Sequence, residues 1–186
     1  MPLRLFTIGY QGRTLPELID ILECAGVQLV IDVRELPWSR KPGFSRKPLE
    51  AGLAEQGLSY VHARFAGNPK ALRRAARTHD DALARFERHL AGHPEIVTAL
   101  TQLFADQPRS RRAICLLCYE RHPADCHRLT LIQHWRQSTE EWKTPVDHLA
   151  PDGAPRFTAR TIAPAAAATD SAAGTTSRRS RMSVGG

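Results

Sequence analysis

The sequence contains no run of about 18 apolar residues, so no segment of it suits a membrane-spanning helix. Its opening stretch, MPLRLFTIGY, has neither the long apolar region nor the small-residue cleavage site of a secretion signal. The expectation is a cytoplasmic protein with no membrane partner. No internal repeat is visible. Neither G-x-G-x-x-G nor the P-loop pattern occurs, which removes the usual phosphate-binding loops for dinucleotides and nucleoside triphosphates. Cysteine is sparse, with four in the chain: Cys24, Cys115, Cys118 and Cys126. In a reducing compartment such cysteines serve as free thiols, metal ligands or reactive groups sooner than as disulfides.

What is present is ordinary for a soluble domain, with 42% hydrophobic and 24% charged residues. The net charge is +7. Residues 1–150 hold 21 Lys+Arg against 17 Asp+Glu, or +4, and residues 151–186 hold 5 against 2, or +3. A mild positive excess suits an anionic small molecule or nucleic acid, and equally a soluble protein from an arginine-rich proteome. After Leu149 the composition turns to Ala, Ser, Thr, Gly and Pro, with too few large apolar residues to offset the entropy of ordering. This predicts a single domain over 1–150 and a disordered tail over 151–186.

Within the domain, strand and helix signals alternate. LFTIGY reads as a strand. TLPELIDILECAG reads as a helix with a Thr14–Glu17 capping box, Pro16 in the first turn and Gly26 at the stop. VQLVIDV is a doubly buried strand, KPLEAGLAEQG a helix and LSYVHA a third strand. Lys70 to Asp106 is helical, with breaks near His79 and at Gly92-His93-Pro94. AICLLC is a fourth strand, DCHRLTLIQHWRQ a helix and TPVDHL a short closing strand. The pattern predicts an α/β three-layer fold, Rossmann-like, with a mainly parallel sheet and helices on both faces.

Open parallel sheets bind ligands beyond the carboxyl ends of their strands. The segments expected there, Gly9–Arg13, Asp32–Phe44 and Cys118–Arg128, should line one cleft. Arg13, Arg34, Arg40, Lys41 and Arg128 would form an anion pocket, with Tyr10 or Trp38 stacking on a planar group and Ser39 and His127 assisting. Asp32 and Arg34, two apart on a strand, share a face and could also pair with one another.

The stretch CLLCYERHPADCHR, residues 115–128, concentrates the chemistry. Strand alternation places Cys115 and Cys118 on opposite faces, making Cys115 core and a cage on that pair improbable. Cys126, at a helix start beside His127 and Arg128, should have a lowered pKa and act as a nucleophile. Cys118, Glu120 and Asp32 complete the candidate catalytic set. A zinc or iron site on Cys118 and Cys126 ranks lower, because His127 would project about 100° away from Cys126 around a helix.

TIGYQGR (7–13), DVRELPWSRKPGF (32–44) and LLCYERHPADCHR (116–128), in that order, resemble the bacterial domain of unknown function 488 family over residues 3–149. Arg34, Ser39, Arg40, Gly43, Phe44, Glu120, Pro123, Cys126, His127 and Arg128 all fit its pattern. The resemblance implies the location of a site, not a reaction. VIDVRE also looks like the strand motif of rhodanese-type sulfurtransferases, although CYERHP lacks the glycine-bearing loop that would cradle a persulfide. Three functions remain open: an enzyme for an anionic, nucleotide-related substrate; a sulfurtransferase or redox protein using Cys118 and Cys126; and a nucleic-acid module using the basic segment KALRRAARTH, 70–79.

Overall fold

The computed structural model describes residues 3–108, 113–139, 145–149 and 157–158. Strand β1 (Arg4–Gly9) leads to helix α1 (Leu15–Cys24), β2 (Leu29–Asp32), α2 (Arg46–Glu55) and β3 (Ser59–His62). Three helices follow, α3 (Lys70–Ala75), α4 (His79–Gly92) and α5 (Pro94–Ala105). Then come β4 (Ala113–Cys118), α6 (His127–Ser138), β5 (Val146–His148) and β6 (Phe157–Thr158). The sheet order is β3-β2-β4-β1-β5-β6, with every neighbouring pair parallel except β5–β6. The α/β three-layer expectation is met.

Local signals explain the boundaries. Thr14 caps α1 through Glu17, whose carboxylate accepts from the Thr14 backbone N–H at 2.7 Å. The helical stretch over 70–106 divides near the two expected breaks, where Ala76 and His93 leave helical geometry, His93 just ahead of Pro94. Beyond β5, Phe157–Thr158 forms β6 and pairs antiparallel with it. A low apolar content argues against a core but not against backbone pairing, and β5 would otherwise present an open edge. The rest of 151–186 lies outside the described residues.

Alternation along the strands divides the core in two. Ile114, Leu116 and Cys118 of β4 pack with Leu5, Leu29 and Ile31 under α4, α5 and α6. Ala113, Cys115 and Leu117 pack with Phe6, Ile8 and Val30 under α1 and α2. Cys115 and Cys118 therefore face opposite layers, as strand geometry requires. β2 sends its chain outward to β3, whereas β4, beside it, sends its chain the other way to β5. Such a divergence opens a crevice at the carboxyl ends of the two strands.

At the β1–β5 side, Arg128 of α6 is 1% exposed, and its Nε donates to Thr7 Oγ1 at 3.3 Å. The Thr7 hydroxyl is then free to donate to His148 Nδ1, 2.7 Å away. Protonating Nδ1 would set two donors head to head. Burial first, and then the Arg128 charge, hold the His148 pKa down at about 4.

The unfolded chain therefore takes up a proton on His148 between pH 6.5 and about 4 that the folded chain refuses. Stability is present above pH 6.5 and lost as pH falls through that window, by up to about 3 kcal/mol. Urea titrations at pH 7 and pH 4.5 should show this loss, and His148→Gln should reduce it. An unchanged difference between the two pH values in the variant would refute the assignment.

Candidate functional site

Two buried cations build the crevice walls. On the β2 side, Asp32 is fully buried and receives Arg34 Nε at 2.8 Å and Nη2 at 2.6 Å, plus the Tyr60 hydroxyl at 2.8 Å. Arg34 Nη1 donates to the Tyr10 hydroxyl at 2.9 Å and to the Phe44 carbonyl at 2.8 Å. Tyr10 stacks on Phe44 with ring centroids 4.3 Å apart. Burial works to lower the Arg34 pKa, but the Asp32 carboxylate outweighs it and the net shift is upward. On the β4 side, Arg128 Nη1 and Nη2 donate to the Glu120 and Arg121 carbonyls, tying down the loop that follows the strand.

Between these walls lies a cleft of about 530 Å³. All three expected segments reach it: Tyr10 and Gly12, Arg34 to Lys41 in part, and Cys118, Tyr119, Glu120 and His127. Trp38 stands 67% exposed at its edge, with the Arg40 guanidinium 5.9 Å from its ring centroid. Lys41 Nζ reaches the Tyr10 carbonyl at 3.4 Å.

Not every expected residue faces the cleft. Arg13 is buried and turns to the Leu149 carbonyl at 3.5 Å. Arg128 and Asp32 lie behind the lining, spent on the loop and on Arg34 respectively. Arg34 touches the cleft with its donors already engaged. The cations nearest the mouth are instead Arg40, Lys41 and Arg73, the last held by Glu35 at 3.2 Å. Glu35 also accepts from the Lys70 backbone N–H at 2.6 Å, so the basic helix α3 is docked as a cleft wall.

Asn68 was not singled out from the sequence, although its segment AGNPK was noted. It is 4% exposed and lines the cleft, and its Oδ1 has no hydrogen-bond partner among the described residues. The Asn-Pro pair reads as a turn, and nothing in the sequence says where its amide points.

At the cleft floor, donor atoms of Cys118, Glu120, Cys126 and His127 all lie within 4.8 Å of one another. This overturns the expectation that Cys126 and His127 diverge. Cys126 is not inside the helix but is its extended N-cap residue, with φ −131° and ψ 135°. The 100° step of a helix does not apply between it and His127. His127 Nε2 donates to the Val33 carbonyl at 2.9 Å, which aims Nδ1 at Cys118 Sγ, 3.5 Å away. Cys118 Sγ also lies 3.4 Å from Glu120 Oε2.

The four groups perturb one another. Burial first, then the Cys126 sulfur, pushes the Cys118 thiol up. Burial and the Cys126 charge likewise raise Glu120. Burial opposes ionisation of Cys126, yet hydrogen bonds from Cys118 and His127, with the charges of Arg128 and His127, bring it well below its ordinary value. Burial would lower His127, but the Cys126 sulfur outweighs it and raises it. Cys126 is thus drawn toward its thiolate while Cys118 is held as a thiol, through neighbouring donors and charges. Cys126 is only 1% exposed, and the exposed cysteine is Cys24.

The family model described as "Domain of unknown function DUF488" matches residues 14–135, more than half of the chain, and the chain belongs to that family. The Gly9–Arg13 segment lies outside the matched range. No curated protein and no solved structure matches the chain.

Two predictions follow from the walls. Asp32→Ala leaves the Arg34 charge buried without its carboxylate and should cost about 3–5 kcal/mol in urea unfolding. A cost below 1 kcal/mol would show that water replaces the pair. Gly9 has no room for a side chain, since a Cβ there would overlap the Glu120 carbonyl. Gly9→Ala should therefore displace the Cys118–Glu120 loop, and chemical shifts of His127 and Glu120 should move. Unchanged shifts would refute the close approach.

Proposed function

We propose that this chain is an enzyme for a small anionic substrate bearing a planar group, nucleotide-related in chemistry, bound in the cleft and acted on by the cluster at its floor. The observation carrying this reading is the continuity of the two. Cys118, Glu120 and His127 belong both to the buried donor cluster and to the lining of the cleft. Chemistry-bearing groups are costly to bury together, and they are placed where a bound molecule would meet them.

Recognition divides into a charged part and a flat part. Arg40 and Lys41 offer donors for phosphate or carboxylate, Arg40 as a planar fork. Trp38 and Tyr119, both exposed at the edge, offer faces for stacking. The unpartnered Asn68 Oδ1 accepts a hydrogen bond from an N–H or O–H of the substrate. Arg34 and Tyr10 act beneath them as positioning residues, holding the floor rigid.

One observation favours thiol chemistry of the sulfurtransferase or redox kind: the Cys118 and Cys126 sulfurs lie within 4.8 Å of each other. Against it, the loop after Cys118 aims its Glu120 and Arg121 carbonyls at Arg128 and contains no glycine. For the nucleic-acid module, docking of α3 on Glu35 removes part of the basic face that reading needs.

Calorimetry with nucleoside mono- and diphosphates tests the proposal. Binding should weaken with rising ionic strength. It should fall about 10- to 100-fold in the Arg40→Ala, Lys41→Ala double variant, and also in Trp38→Ala. No binding by any of them, or equal binding in the variants, would overturn the reading. A preference for long single strands over mononucleotides would transfer it to the nucleic-acid module.

A further inference from the structure

The four donors at the cleft floor have the composition and spacing of a mononuclear metal site. We propose that Cys118, Cys126 and His127, with Glu120 as the fourth ligand, bind one zinc-class divalent ion. This rests on the reading of the cluster as the reactive centre, but its test needs no substrate.

The spacing comes first. A tetrahedral ion with sulfur at about 2.3 Å and nitrogen or oxygen at about 2.0–2.2 Å has ligand-to-ligand edges of about 3.5–3.8 Å. Cys118 Sγ lies 3.5 Å from His127 Nδ1 and 3.4 Å from Glu120 Oε2. All four donor atoms stay within 4.8 Å of one another. An ion at the centre needs the widest of these pairs to close by at most about 1 Å, within reach of side-chain adjustment.

The surroundings supply a second, independent indication. Metal-binding histidines nearly always donate their other ring N–H to a carbonyl or carboxylate, which fixes the tautomer. His127 does so to the Val33 carbonyl, which leaves Nδ1 facing the cysteines, where a bound ion would take the place of any proton. Arg128 holds the Glu120 backbone through its carbonyl, orienting the carboxylate-bearing turn and adding a positive charge beside an anionic ligand set. Gly9 lets β1 approach that same turn.

Ligand type chooses the metal. Two thiolates and an imidazole select zinc or another borderline-soft ion over magnesium or calcium, which prefer all-oxygen sets. Access chooses the role. Cys126 is sealed from solvent, whereas Glu120 and His127 line depressions on both sides of the cluster. Glu120 is therefore the ligand a bound substrate would displace, opening a coordination position toward the cleft.

The full chain, expressed in zinc-supplemented medium and purified without chelator, should carry about one equivalent of zinc by mass spectrometry. Cys126→Ser and His127→Ala should lose at least nine-tenths of it, whereas Cys24→Ser should keep it. Because those variants could unfold, the unmodified chain should also be stripped and titrated with Co²⁺. A thiolate-to-cobalt charge-transfer band together with intense tetrahedral ligand-field absorption is expected. A folded chain that arrives metal-free and yields neither signal would overturn the proposal. Nucleotide binding that persists in such a chain would leave the cleft reading intact, while zinc binding without nucleotide binding would do the reverse.

Discussion

A guanidinium held by neutral oxygens sits near the centre of this protein, and the site is arranged around its needs. Arg128 is 1% exposed, and its three donor groups are met by Thr7 Oγ1 and by the carbonyls of Glu120 and Arg121. Leaving any of those donors unmet at this depth would cost on the order of 1–3 kcal/mol or more. The loop from β4 to α6 is thereby held down onto β1. The Arg128 charge also acts along this face of the sheet, opposing protonation of His148 and favouring the Cys126 thiolate.

The opposite wall has the same logic with different parts. Arg34 is neutralised by Asp32 and then continues to Tyr10 and Phe44, binding the loops after β1 and β2 into one unit. Buried ion pairs of this kind add little net stability compared with apolar packing, but they tolerate few alternative geometries. The consequence is a tightly held floor under an exposed rim. Arg40, Lys41 and Trp38 project from a loop whose base Arg34 fixes, so recognition and support are carried by separate residues.

How much of this was readable in advance differs from one residue to the next. The Cys115–Cys118 division followed from the two-residue strand period alone, and the buried network confirms that a CxxC spacing inside a strand is not a pair. The Thr14–Glu17 cap was equally visible, because both partners lie within one turn. Arg13, Arg34 and Arg128 were legible as cations near strand ends, but a sequence shows a charge without its partner. Arg13 and Arg128 proved to lie behind that lining, and Arg34 reaches it with its charge already matched by Asp32. The convergence of Cys126 and His127 was missed for a reason of backbone geometry. A single extended residue at the helix start replaces the helical rotation between them, and no periodicity reports that.

The position of the cluster is itself a consequence of the topology. β4 lies between β1 and β2 in the sheet although it comes last of the three in the chain. Its carboxyl end is therefore flanked by loops already in place from the other two. Val33, just past β2, receives His127, and Gly9, ending β1, admits the Glu120 turn. Neither contact is available to a strand at the sheet edge. Were the proposed divalent ion bound there, its charge and that of Arg128 would balance two thiolates and a carboxylate, which is the condition for burying them together. The same crowding that makes this end of the sheet costly to assemble makes it specific once assembled. A change at Gly9, Val33 or Thr7, none of which carries the chemistry, would reach the four groups that do.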